Sequence, residues 1–327
     1  MRSALQSDTR MSVRGVAQPI ARVLLPAAVA AATLLLVTFA DLPGNAMYSR
    51  VMQDFAHVPA FALITWALMQ MLGASSAPRY LAAAGVSVLL GTLVEVVQRF
   101  TGGDSSLMDI WRDVLGISTA VALKAMITRS DAPVTWRNTA VPALIGALAL
   151  VCALVPLAEC SRAYRHRTAL FPVLADFSSR FDTYLLRATD PPFHRIPLPP
   201  DAEGSPQGAL VVPYSTATWP GVVFEEPVPN WSVFKDLAID IENSSLDPQA
   251  VLVGIHDATY DGSAADRFTA RYQIPARTRV TLRIPLADVR NAPRGRKLDL
   301  RHIGRLAIAH VPRQPAEPFT LYKVWLE

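Results

Sequence analysis

The chain has 327 residues, 51% of them hydrophobic and 18% charged, with a mean hydropathy of +0.26 and a formal net charge of +4. That apolar fraction excludes a disordered chain, and 16 glycines with 2 cysteines exclude a collagen-like or disulfide-stapled scaffold. The length suits roughly two domains, and so small a dispersed charge makes no case for a nucleic-acid partner.

The averages hide a split. Residues 1–160 hold 11 Lys+Arg and 9 Asp+Glu, against 20 and 18 in residues 161–327, and proline divides 8 against 18. The first part is suited to lipid and the second to water. Five apolar segments lie in the first: 23–40, 58–78, 80–94, 110–127 and 138–158. A helix needs about 20 mostly apolar residues to cross the hydrocarbon core. Segments one, two and five meet this. Segment three runs into Glu95, and segment four carries Arg112, Asp113 and Lys124. The prediction is a transmembrane bundle of five helices, near 20–40, 57–77, 79–98, 109–127 and 138–158, in a domain spanning 1–160.

The first segment, preceded by Arg2, Arg10 and Arg14, is read as an uncleaved anchor because more apolar segments follow. Cationic residues near the helix ends set the orientation. With a cytoplasmic N-terminus the inner side holds Arg2, Arg10, Arg14, Arg22, Arg79, Lys124, Arg129 and Arg137. The outer side holds Arg50, Arg99 and Arg112. Five crossings then place the second part outside. Arg162, Arg165 and Arg167 run against this, but long domains translocate largely regardless of charge. Cys152 and Cys160 on one helix would be about 12 Å apart, too far for a disulfide.

Polar residues gather at the segment ends expected on the outer face. Asp54 and His57 open the second helix, Glu95 and Gln98 close the third, and Asp109 and Asp113 open the fourth, with Gly116 following. Spacings of three and four put each pair on one helical face. Ionisable groups at membrane depth are costly and usually face a bundle interior or a wet cavity. Singly, each has a structural explanation: Asp54 and Asp109 as helix caps, His57 as a core histidine, Glu95 and Gln98 at the headgroup level. Their convergence is what argues for a shared polar site. Carboxylates and an imidazole suit general acid–base work or a divalent cation. No spacing is diagnostic of a metal, and HExxH, P-loop and GxSxG patterns are absent. No metal or cofactor is therefore predicted.

Asp54-Phe-Ala-His57, Glu95-Val-Val-Gln98 and Ser106-Leu-Met-Asp109 with Gly116, in this order, resemble the VanZ-like membrane family over roughly residues 20–130. Asp104 stands where that family usually has Arg, and Asp113 where it usually has Asn. The resemblance implies a cell-envelope role, without an agreed reaction.

Residues 168–327 read as a second, extracytoplasmic domain. Alternation is clear in 234–242 and 278–286, and further strands are expected at 172–177, 209–214, 250–256, 268–273, 305–311 and 318–326. Short strands separated by Pro, Gly, Asn and Asp indicate an all-β jelly-roll sandwich. The proline-rich 187–208 reads as a surface loop. Trp231–Asp240, Val251–Asp257, Asp266–Phe268, Ile284–Asp288 and Leu321–Glu327 resemble the galactose-binding-like sandwiches, a group with many carbohydrate-binding modules. Some of those bind calcium through an Asp near the last strand; Lys323 occupies the comparable place, so no calcium site is predicted.

Sugar binding needs an exposed aromatic beside polar groups. Trp219, Tyr260, Asp257 and Arg267 are the candidates, with His256, Asp261 and Asp266 nearby; Trp231 and Trp325 sit in strand patterns and read as core. The expected partners are membrane lipid and an envelope polysaccharide or lipid-linked glycan. Two rivals remain open: an enzyme using the acidic cluster on a lipid-linked substrate, and a structural or interaction protein with no small-molecule site.

Overall fold

The computed structural model describes residues 23–39, 46–101, 106–128, 136–188, 192–198, 207–214, 220–311 and 316–327. The chain forms two compact units, Met1–Glu159 and Cys160–Glu327. It is a helical region followed by an antiparallel β-sandwich.

The helices are α1 (Val23–Phe39), α2 (Met47–Met71), α3 (Ala77–Thr101), α4 (Leu107–Thr128) and α5 (Trp136–Leu170). Among the described residues, three stretches are long and apolar enough to cross a membrane: α2, α3 and Ala140–Leu170 of α5. Their outward residues are apolar, including Leu81, Leu89 and Leu93 on α3 and Leu144, Leu148 and Val151 on α5. Leucines on the outward side of such helices are compatible with a hydrocarbon surrounding. α4 carries the charges that weakened its segment in the sequence, and it buries Asp109 and Asp113.

α2 begins ten residues before the 57–77 stretch expected from hydropathy. Its first turns are polar, and hydropathy locates an apolar run rather than a helix start. Asp54 and His57 therefore lie inside α2, and Asp54 is not a cap. The helix ends in a Schellman motif: Gly73 N–H bonds to Gln70 O at 3.1 Å and Ala74 N–H to Met69 O at 2.9 Å. Gly73 has φ +54°, the left-handed conformation this ending requires.

Within this unit α2 packs closely on α3 and α4. Thr65 donates to Ser87 at 2.8 Å between α2 and α3, satisfying two hydroxyls away from water. At Gly116 of α4 a Cβ would fall 2.2 Å from Val58 O and 3.1 Å from Ala62 N, both α2 backbone. Gly116→Ala should therefore force α2 and α4 apart and cost about 1–3 kcal/mol. Gly85→Ala, with nothing within 4 Å, should be harmless. Thermal unfolding of the two variants in detergent checks the contrast.

The sandwich begins with β1 (Val173–Ala175), β2 (Leu186–Ala188), β3 (His194–Pro197), β4 (Gly208–Val212), β5 (Gly221–Phe224) and β6 (Asp236–Asn243). It continues with β7 (Gln249–Asp257), β8 (Phe268–Ile274), β9 (Thr278–Pro285), the short α6 (Leu286–Asn291), β10 (Ile303–His310) and β11 (Phe319–Leu326). One sheet has the order β3-β4-β11-β6-β9, with β1 also pairing β11. The other has the order β2-β5-β10-β7-β8. All pairings are antiparallel. Leu237, Ile239 and Ile241 of β6 face Val251, Val253 and Ile255 of β7 and Leu306 and Ile308 of β10 across a fully buried core. Trp231 is completely buried there and donates its indole N–H to Val228 O at 2.7 Å.

The 187–208 loop reading is corrected in part. It contains β3, whose register runs from His194↔Val211 to Pro197↔Gly208. β3 is an edge strand, where proline's missing N–H breaks no ladder. Cys152 and Cys160 are both free.

Candidate functional site

In the helical unit the polar residues form three separate contacts. His57 Nδ1 and Asp113 Oδ1 are 2.9 Å apart, both side chains buried, and the imidazole stacks parallel to the Phe61 ring. Arg112 donates to Asp54 Oδ2 at 2.7 Å and also pairs with Asp109. Glu95 Oε2 accepts the Ser106 N–H at 2.8 Å, while Ser106 Oγ accepts from Met108 N–H. Ser106, rather than Asp109, is thus the cap of α4. The reciprocal half of a capping box, normally supplied from the same helix, comes here from Glu95 of α3.

The described hydrogen bonds join Asp54 with Asp109 through Arg112, and His57 with Asp113. They do not join Glu95 to either set. Gln98 is half-buried, and its Oε1, like Glu95 Oε1 and Asp113 Oδ2, is buried without a hydrogen-bond partner among the described residues. A groove of about 270 Å³ lined by Glu95, Arg99 and Ser106 opens beside the end of α3 and the start of α4. Gly91 makes room for Asp113, since a Cβ there would sit 2.4 Å from its Oδ2. Sequence reasoning placed Arg112 only among the outer cations and missed it as the bridge. The signal was its i,i+3 spacing from Asp109.

The sandwich carries a different site on the outer face of the β2-β5-β10-β7-β8 sheet. Side chains alternate across a strand, so Val253 and Ile255 point inward while Gly254 and His256 point outward. On β10, Leu306 and Ile308 point inward while Arg305, Ala307 and Ala309 point outward. The register sets Val223, Ala307 and Gly254 side by side across three strands, and Arg305 beside His256. Small residues in a row leave a trough of about 150 Å³ with a low apolar floor. Its polar lining is Arg187 from β2, Arg305 from β10, His256 from β7, and Tyr260 and Arg267 from the β7–β8 connection.

The His256 and Tyr260 rings stack with centroids 4.4 Å apart at 22°. Arg267 Nη1 lies 3.4 Å from the Tyr260 hydroxyl. His256 Nδ1 is 3.0 Å from Asp257 O; a carbonyl only accepts, so Nδ1 carries the proton and Nε2 is left as an acceptor. Burial, with the Arg305 and Arg267 charges adding to it, holds this imidazole below its ordinary range, against the pull of that hydrogen bond. It is neutral at pH 7.

Of the sugar candidates, Tyr260 and Arg267 lie on this trough. Trp219 falls outside the described residues, as do Asp104, Arg2, Arg10, Arg14, Arg22 and Arg129. Asp257 is corrected. It is 1% exposed and turned to the interior side of β7. Its carboxylate is held by Arg296 at 2.6 and 2.9 Å, by Asp299 N–H at 2.8 Å and by Thr259 N–H and Oγ. Burial pushes that carboxyl up, but the Arg296, Asp299 and Thr259 hydrogen bonds outweigh it and bring it down to about 2. Asp266 accepts from the same Arg296 and from Asp261 N–H. These aspartates shape the β7–β8 connection that presents Tyr260 and Arg267. Sequence reasoning missed Arg187, Arg305 and Gly254, which give no local signal.

No family model matches the chain, and no curated protein matches it either. Among solved structures it resembles a family 11 carbohydrate-binding module from Clostridium thermocellum, in complex with a beta-1,3-1,4-mixed-linked tetrasaccharide. That match has 15% identity over 47% of this chain and 93% of that chain, with a TM-score of 0.36. An exo-beta-agarase matches at 13% identity over 44% of this chain and 23% of that chain, TM-score 0.34. The CBM22-1–GH10 modules of C. thermocellum xylanase 10B, complexed with xylohexaose, match at 8% identity over 47% and 27%, TM-score 0.30. The chain thus spans about a quarter of each of the last two. Matches at this level identify no ligand, and the sandwich fold rests on its own strand pairing.

Proposed function

We propose that this chain is a multi-pass envelope membrane protein, VanZ-like in its helices, that binds or handles an envelope glycan or its lipid carrier. In this reading the N-terminus is cytoplasmic, five helices cross the membrane, and the sandwich is an outer glycan-binding module. The observation that carries it is the trough. A stacked His256–Tyr260 pair, flanked by Arg267 and Arg305 above a floor of Gly254, Ala307 and Val223, supplies an aromatic surface with polar groups beside it. The Lys/Arg distribution supports the orientation.

The test has two arms. Alkaline phosphatase fused after Glu327 should be active in the periplasm-type compartment and inactive when fused after Arg137; the reverse pattern rejects the topology. The full chain in a non-sugar detergent should capture oligosaccharides on a glycan array, and Tyr260→Ala should abolish capture.

A second reading, a membrane enzyme acting on a lipid-linked glycan, draws on the buried His57–Asp113 pair and on Asp113 Oδ2, which has no hydrogen-bond partner among the described residues. An acid–base pair of this kind is one way to move a proton within a membrane site. Under it, Asp113→Asn removes turnover of a lipid-linked glycan while glycan capture by the sandwich persists. Under the binding reading no turnover is seen in either form, and capture survives the change.

A further inference from the structure

We infer that the ligand of the sandwich trough is an anionic glycan, one bearing carboxylate, sulfate or phosphate groups. This rests on the glycan reading above and adds the chemical class.

Sugar hydroxyls donate as well as accept, so a site for a neutral sugar needs acceptors of its own. Guanidinium groups only donate, through five N–H groups each. Arg187, Arg267 and Arg305 all line this trough, and none of its described lining residues is acidic. The acceptors on the lining side chains are the Tyr260 hydroxyl and His256 Nε2.

One carboxylate lies at the rim. Glu225 Oε1 is 3.1 Å from Arg187 Nε and 3.6 Å from Arg305 Nη2. Arg187 and Arg305 therefore share one carboxylate, and together they keep a net positive charge beside it. Arg305 Nε is buried without a hydrogen-bond partner among the described residues. A carboxylate, sulfate or phosphate ester brings two or three acceptor oxygens and a negative charge. It matches the guanidinium fork in geometry as well as in sign. The small-residue floor holds the sugar ring close to the strands, within reach of Arg305 on one strand and Arg187 on the next but one.

The neutral imidazole fits this arrangement. The neighbouring arginine charges oppose its protonation, so His256 contributes an acceptor for a ring hydroxyl while the arginines take the anionic group.

The experiment compares charged glycans with neutral partners of the same backbone. The full chain in a non-sugar detergent is titrated with oligogalacturonate and its methyl ester, with a sulfated galacto-oligosaccharide and its desulfated form, and with a phosphodiester-linked glycan and its dephosphorylated sugar. At least one charged form should bind about tenfold or more tighter than its neutral partner, and the pair concerned identifies the anionic group. That advantage should shrink as NaCl rises from about 50 to about 500 mM. Arg267→Gln and Arg305→Gln, with unchanged thermal unfolding, should lower charged-ligand affinity toward the neutral value. Arg305→Lys, which keeps the charge but loses the fork, should fall between and covers the case in which a Gln variant fails to fold. Neutral forms binding as well as charged ones would overturn the inference and leave the glycan reading standing. Failure of every glycan, neutral ones included, would remove both.

Discussion

Replacing Arg296 by methionine should cost the sandwich about 1–3 kcal/mol, because it leaves the buried Asp257 carboxylate without its cation while Arg296 itself is 29% exposed. The guanidinium bonds Asp257 through Nη1 at 2.6 Å and Nη2 at 2.9 Å, and Asp266 through Nη2 at 2.8 Å and through Nε. Methionine fills much of the volume but leaves two carboxylates facing each other with no cation. Each loses its charge-assisted partner, and Asp257 cannot reach water from a site 1% exposed. Loss of the sandwich's near-UV dichroism with denaturant, read on the full chain in detergent, measures the change. Adding Asp257→Asn and Asp266→Asn should recover part of it, because the uncompensated charge is then gone.

The same network sets a pH dependence. Asp257 titrates lower in the folded chain than its ordinary value, down to about 2. Below the folded value both states are protonated, and above the unfolded value of about 3.9 both are ionised. The contribution is therefore complete above about pH 4 and is lost as pH falls through about 2. In Arg296→Met the Asp257 carboxylate keeps only the Asp299 and Thr259 hydrogen bonds against its burial, so its folded value should rise toward the ordinary one and the acid-side loss should shrink. A pH series of denaturation curves on parent and variant should show a shallower acid slope in the variant; parallel slopes would mean that Arg296 does not govern the Asp257 charge.

Filling the trough should separate binding from folding. At Gly254 a Cβ would meet Ala307 Cβ at 3.8 Å and Phe268 O at 4.0 Å, ordinary contacts, with the rest of a side chain projecting into the trough. Gly254→Val should therefore be tolerated. It should even add several tenths of a kcal/mol, because glycine in a strand loses more conformational freedom on folding than valine does. It also occupies the floor on which a sugar ring would lie, so glycan affinity should fall by about tenfold or more. Gly221, on the same face, is the contrast. A Cβ there would fall 2.3 Å from Ile308 O and 2.5 Å from Ala309 Cα. Gly221→Val should lower the unfolding temperature, because the ladder between β5 and β10 has no room for it. Thermal unfolding beside ligand titration for the two variants reads both effects. Unchanged binding in Gly254→Val would place any glycan site elsewhere on the sandwich.

Most strands were legible because one face of each meets water. In Asp236–Asn243 and Thr278–Pro285 the polar and apolar residues alternate as the faces do. β5 and β2 were not legible: Gly221-Val-Val-Phe is short and lacks alternation, since the outward valine forms the floor of a trough. β3 was hidden by proline-rich surroundings that an edge strand tolerates. In the helical unit, spacings of three and four put Asp54 with His57 and Glu95 with Gln98 on common faces. Spacing within one helix carries no information about which group on the next helix comes opposite. The His57–Asp113 pair, the Arg112 bridge and the Glu95–Ser106 bond all needed packing to appear.

The sequence by itself therefore determined the division of labour along this chain, because hydrophobicity and charge act locally: apolar helices where charge is sparse, a two-sheet sandwich where polar and apolar residues alternate. Only the tertiary structure decided the site. Arg187 and Arg305 are far apart in the chain and share the trough because β2, β5 and β10 pair in that order. Asp257, polar and next to a turn, looked exposed until Arg296 from a distant segment compensated its burial. Strand order and long-range ion pairing are properties of the whole packed domain, so no window of neighbouring residues encodes them.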